Sequence, residues 1–170
     1  MIILCIITSI ISLLLQGLIS NFQNYTLTNL SIFSAVYLLI NFVVLQPYFD
    51  SSKKNIILII IFGMIFDITY NSTIILSTFT FIAIFYINKI LNFFSPNNLL
   101  TINVFSILSM IIYHILILTF LSILSFDNYN ISILLKVIAS NIIMTIIYTS
   151  IMYYIVSKLY NKFNLKLIRE

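Results

Sequence analysis

Between Asn55 and Asn92 the chain reads NIILIIIFGMIFDITYNSTIILSTFTFIAIFYINKILN, two long apolar runs around a short polar break at Thr69 to Thr73. Runs of this kind recur from one end of the sequence to the other, and they limit the fold more than any other feature. Charged residues make up only 7% of the chain and hydrophobic ones 62%, with a mean hydropathy of +1.17. A soluble domain normally carries about a quarter charged residues. A soluble fold of 170 residues has too little interior to hide so much Ile, Leu and Phe, so the expected solvent is lipid on most faces. Lipid cannot hydrogen-bond the backbone, so each spanning element must pair its own N–H and C=O groups, and this selects helices. The runs are too continuous for the alternating strands of a membrane barrel.

Taken in order, the runs predict an all-α polytopic membrane protein with six transmembrane helices in a compact bundle, at about 2–19, 30–45, 55–70, 73–91, 99–121 and 133–156. The first has no Lys or Arg before it and no small-residue cleavage site after it, so it reads as a retained helix and not a signal peptide. Pro47 should end the second helix at or near Gln46. The third is short against the ~20 residues that a bilayer core requires. Either its neighbours shield it, or the bilayer thins, or the helix runs on through Ser72. Third and fourth should form a helical hairpin.

The basic residues give an orientation. With the N-terminus inside, Lys53, Lys54, Lys89, Lys158, Lys162, Lys166 and Arg169 fall on the inner side and only Lys136 on the outer. Cytoplasmic loops are enriched in Lys and Arg, so both termini are expected in the cytoplasm. The chain divides into a transmembrane domain, 1–157, and a basic amphipathic tail, 158–170. In that tail Lys158, Lys162, Lys166 and Arg169 share one side of a helical wheel, beside an apolar stripe of Leu159, Phe163 and Leu167. Such a helix suits the inner leaflet of the lipid bilayer or a partner protein. The net charge of +4 is scattered over loop edges and the tail, which is not a nucleic-acid pattern. Cys5 is alone, so no internal disulfide exists and a buried apolar role is expected.

Few polar residues stand out against this background. Asp67 lies one helical turn after Gly63, so both share a face. Glycine there admits a close helix neighbour, and an acid among Ile and Phe requires a partner. Two roles are open to Asp67: a binding or coupling residue, or a structural acid hydrogen-bonded across helices or to a partner protein. His114 and Lys136 should lie at a similar depth, and a polar cluster of Asp67, His114 and Lys136 would offset the burial of each. The alternative is that Lys136 snorkels to the interface and His114 bonds locally. There is no HExxH, no GxSxG and no pair of acids on one face. No metal, cofactor or catalytic site is expected, and the chain reads as a non-enzyme.

The stretch from Tyr37 to Leu91 resembles MreD, the bacterial rod shape-determining membrane protein family. That family pairs a helix ending in a proline-containing basic loop, here Pro47, Lys53 and Lys54, with a helix carrying Gly-x-x-x-Asp, here GMIFD from Gly63 to Asp67. The family's Asp is commonly followed by a glycine-containing turn, whereas this chain has Tyr70, Asn71, Ser72 and Thr73. The resemblance implies a non-enzymatic scaffold of the cell-elongation complex in the bacterial cytoplasmic membrane, supporting peptidoglycan synthesis and cell shape. It implies MreC as the partner, with MreB and the SEDS glycosyltransferase–penicillin-binding protein pair as further members of the complex. Gly63 and Asp67 would then serve folding or partner docking.

The layout is also similar to the substrate-binding subunits of energy-coupling-factor vitamin importers. That reading requires an outward pocket, to which Tyr25, His114, Lys136 and Asp67 would contribute. It also requires alanine-rich docking faces, and the chain has only Ala35, Ala83 and Ala139.

Overall fold

The computed structural model describes residues 2–26, 36–48, 52–71, 75–93, 98–123 and 131–162. These form six α-helices: α1 (Ile2–Thr26), α2 (Tyr37–Leu45), α3 (Ser52–Phe66), α4 (Leu76–Phe93), α5 (Leu99–Ile123) and α6 (Ile131–Lys162). The local reasons are visible in the sequence. Long Ile and Leu runs without proline, interrupted only by Gly17 in α1 and Gly63 in α3, propagate helix. Pro47 has no N–H to donate and sits in a single 3-10 turn, Gln46–Tyr48, that closes α2. At the start of α5, Asn98 is an ordinary cap: its Oδ1 accepts the Thr101 N–H at 2.9 Å. α3 continues into one wide π-helical turn, Asp67–Asn71. There the Thr69 hydroxyl donates to the Ile65 carbonyl at 2.7 Å, satisfying a backbone acceptor near the helix end.

Side-chain contacts set an up-and-down order. Ser9 meets Asn41, and Gln16 meets Tyr37, so α1 and α2 run antiparallel. Gly63 faces Thr78 across the α3–α4 hairpin. Phe79 meets Phe120, and Asn88 meets Ser109, so α4 and α5 also oppose each other. Asn103 meets Ser150 on α6. In this order the exposed Lys53, Lys54, Lys89 and Lys158 stand at one end of the bundle, and Lys136 stands at the other. Asp67 and the first turns of α2 and α4 share the end of Lys136.

α2 is the centre. All nine of its residues are buried, enclosed by α1, α4, α5 and α6. Around it lie Phe66, Phe81, Tyr113 and Met152, with Phe81 stacked between Phe66 and Tyr113 at 5.5 and 5.6 Å. The exterior is unusually apolar. Ile10 and Leu14 on α1, Ile61 on α3, Leu100 on α5, and Ile143 and Ile151 on α6 are all exposed. Meanwhile Ser12, Gln16, Asn41, Asp67, Asn88 and Asn141 are buried. Such extensive exposed apolar faces over an interior with this many buried polar side chains are unusual for a water-soluble fold.

The expectation of six transmembrane helices is corrected by this structure. Among the described residues two helical stretches are long and apolar enough to cross a membrane, Leu99–Phe120 in α5 and Leu135–Leu159 in α6. The reason is length. At 1.5 Å per residue, the nine residues of α2 rise about 13 Å and the fifteen of α3 about 22 Å, against a hydrocarbon core of ~30 Å. The apolar stretches Ile3–Ile19 and Leu76–Leu91 also fall short. Apolar composition alone does not make a span: α2 is apolar because protein surrounds it. The molecule is an all-α six-helix bundle with two long apolar helices consistent with membrane association. The boundary placed at 157 falls inside α6, which runs unbroken to Lys162.

Candidate functional site

Two helices begin on residues that cannot cap them. The cap position of α4 is Ile75, whose carbonyl accepts the Phe79 N–H at 2.9 Å but whose side chain has no acceptor. Asp67, across the hairpin, fills the role. Its Oδ1 accepts the Ser77 N–H at 2.9 Å, and its Oδ2 accepts the Thr78 N–H at 3.0 Å and the Thr78 hydroxyl at 2.9 Å. These are the second and third N–H groups of α4, the donors that a local cap would normally satisfy. The carboxylate also sits against the positive end of the α4 dipole. Asp67 is 0% exposed, so without these bonds its burial would be strongly unfavourable.

Gly63 makes this reach possible. A Cβ at that position would lie 2.9 Å from Thr78 Oγ1 and 3.0 Å from Thr78 Cα. The absence of a side chain brings the α4 backbone onto α3, one turn below the point where Asp67 projects. Gly63, Asp67 and Thr78 therefore act as one unit. From it the polar contacts continue: the Ser77 hydroxyl pairs with the Tyr113 hydroxyl of α5 at 3.2 Å.

α2 repeats the device. Its cap position is Val36, with no side-chain cap bond, and Gln16 Oε1 of α1 accepts the Tyr37 N–H at 2.9 Å. A third clamp closes the same end, where the Tyr70 hydroxyl donates to the Leu13 carbonyl at 2.7 Å, beside Gly17. A Cβ on Gly17 would meet the Tyr70 hydroxyl at 2.8 Å, the far end of a flexible side chain. Gly17→Ala is therefore expected to lower stability by only about 1 kcal/mol, and adding Tyr70→Phe should recover part of that loss. Thermal unfolding of the single and double variants checks this; additive losses would contradict the contact.

The remaining residues singled out from the sequence are dispersed. Pro47 ends α2 and is half-buried. His114 is buried on α5, with its Nδ1 within 2.8 Å of the Met110 carbonyl, a bond within its own helix. Lys136 is exposed on α6, so the structure does not bring it into a buried cluster with Asp67 and His114. Lys158 is exposed, with its ammonium 5.9 Å from the Tyr154 ring centre. Lys162 is the last residue of α6; Lys166 and Arg169 lie outside the described residues. Tyr25 is in α1, and Ala35 lies outside the described residues. No group of three or more potential metal ligands occurs among the described residues.

Sequence reasoning passed over Thr78, Gln16 and Tyr70. Gln16 and Thr78 acquire their roles only when packing brings each to an uncapped helix start. Nothing in the sequence pairs Tyr70 with Leu13.

Fold and site together define a class: an all-α bundle with two long apolar helices consistent with membrane association, whose buried polar groups tie one helix to the start of another. No family model, no curated protein and no solved structure matches the chain.

Proposed function

We propose that the protein is a non-enzymatic scaffold of the bacterial cell-elongation complex, seated in the cytoplasmic membrane through α5 and α6 and working through a partner of the MreC kind. The observation that carries the reading is the use made of Asp67. It is the one acid among the described residues, and its carboxylate is engaged by two backbone donors and a hydroxyl of α4. A carboxylate held in this way is suited to fixing helix geometry, and it is poorly placed to exchange protons with a substrate. This agrees with the Gly-x-x-x-Asp resemblance, in which the element serves folding or docking. The exposed apolar faces of α5 and α6 provide the lipid contact. The exposed lysines at one end suit the cytoplasmic leaflet.

The test is affinity capture of the tagged full chain from gently solubilised membranes, with the co-purifying proteins identified by mass. The expected result is recovery of MreC together with MreB or the SEDS glycosyltransferase–penicillin-binding protein pair. Recovery of a pair of ATPases with a larger coupling membrane subunit would overturn the scaffold in favour of a solute importer.

A further inference from the structure

Where α1, α2 and α6 meet, the bundle interior is polar and uncharged. Ser9 accepts the Asn41 side-chain N–H at 3.1 Å, and Ser12 pairs with the Tyr148 hydroxyl at 2.7 Å. The Tyr37 ring stands edge-on to the Tyr148 ring with centres 4.8 Å apart. Tyr37 and Asn41 are one turn apart on α2 and so point to the same side. Their exposures are 1% and 0%, and those of Ser9 and Ser12 are 1% and 0%. Neither Tyr37 Oη nor Asn41 Oδ1 has a hydrogen-bond partner among the described residues. Turning the Asn41 amide over would exchange its two ends but still leave one of them without a protein partner. Buried polar atoms in folded proteins nearly always find a partner, from protein or from ordered water.

We propose that this seam binds one small neutral molecule, water by its chemistry, held between the Tyr37 hydroxyl and the Asn41 amide. Three observations define the guest. It must be able to donate, because Asn41 Oδ1 only accepts, and it can either accept from the Tyr37 hydroxyl or donate to it. It must be uncharged, because Ser9, Ser12, Tyr37, Asn41 and Tyr148 offer no counter-charge, and an unpaired buried ion is strongly disfavoured. It must be small, because the residues around it already bond to one another. Buried waters typically make about three hydrogen bonds to groups of this kind. The guest joins two α2 side chains at the surface where α1 docks, so it contributes to holding α1 on the core. This inference does not depend on the scaffold reading.

The experiment uses the full chain, isotopically labelled, in lipid nanodiscs. Magnetisation transfer from water is read at the Asn41 side-chain amide, which is shielded from bulk solvent. The expected result is a direct water cross-peak in the wild-type chain that is lost in Tyr37→Phe while the Asn41 signal itself persists. Absence of the cross-peak in the wild-type chain overturns the proposal without recourse to any variant. A second measurement is the thermal midpoint of Tyr37→Phe. With the guest bound, removing the hydroxyl removes one of its anchors and the midpoint falls. Without a guest, the substitution removes a buried hydroxyl that has no partner, and the midpoint rises. A rise overturns the proposal.

Discussion

Asp67→Leu is expected to lower the thermal midpoint of the purified chain by roughly 6–12 °C. The substitution leaves the Ser77 N–H, the Thr78 N–H and the Thr78 hydroxyl without their acceptor, all of them buried. Each such loss costs about 1–3 kcal/mol. The lower end of that cost, about 3 kcal/mol for the three together, at the 2–4 °C per kcal/mol typical of a chain of this size, gives that range. Because Ile75 offers no side-chain acceptor, α4 has no local cap to fall back on. Asp67→Asn separates hydrogen bonding from charge. The amide oxygen still accepts one N–H, and its NH2 can donate to the Thr78 hydroxyl, but one backbone donor then faces another. A loss of about 1–2 kcal/mol is expected. The order wild type, Asn, Leu in unfolding midpoint is the result to look for. Equal midpoints for all three would show that the trans cap contributes nothing.

The second large effect is at Gly63. A methyl group there would sit 3.0 Å from the Thr78 Cα, a backbone atom that cannot swing aside. Gly63→Ala is expected to destabilise by about 1–3 kcal/mol through overpacking, and Gly63→Leu by more, because α3 and α4 must separate. Separation also carries the α4 N–H groups away from Asp67. The two sites therefore act on the same closure, and their effects should not add. In Gly63→Leu, the further loss on Asp67→Leu is expected to be about 1–2 kcal/mol smaller than in the wild-type background. A double-mutant cycle on unfolding midpoints measures this directly, and strict additivity would break the link between the two residues. The contrast with Gly17 is useful. Its neighbour is a tyrosine tip, so the same Gly→Ala change should be mild there.

Much of the local structure was legible in the sequence. The end of α2 near Pro47 follows from proline's missing donor, and α5 begins where its apolar run begins, at Leu99. The α3–α4 hairpin followed from two apolar runs around a short polar break. Gly63 and Asp67 drew attention because a glycine and an acid are costly in such a setting. Their target was not legible. Thr78 and Ser77 are hydroxyl residues in the first turn of a helix, where nothing marks them out, and the sequence does not say that Ile75 leaves α4 uncapped until the hairpin is closed. Gln16 was equally hidden, as one of several polar side chains on α1. The six-span expectation failed for a related reason. An apolar stretch facing protein and one facing lipid have the same composition, and α2 is the first kind.

Sequence by itself determined the class of element and the apolar character of the surface. Backbone groups without access to water must pair within helices, and a chain with so few charges must place apolar side chains outward as well as inward. It also marked the lysines that gather at one end. Tertiary structure alone decided which helix lies at the centre, which runs are long enough to cross a bilayer, and what Asp67 does. Those outcomes depend on contacts between residues distant in the chain. A carboxylate acquires its role from the N–H groups that packing brings within 3.0 Å of it, and here α4 supplies them.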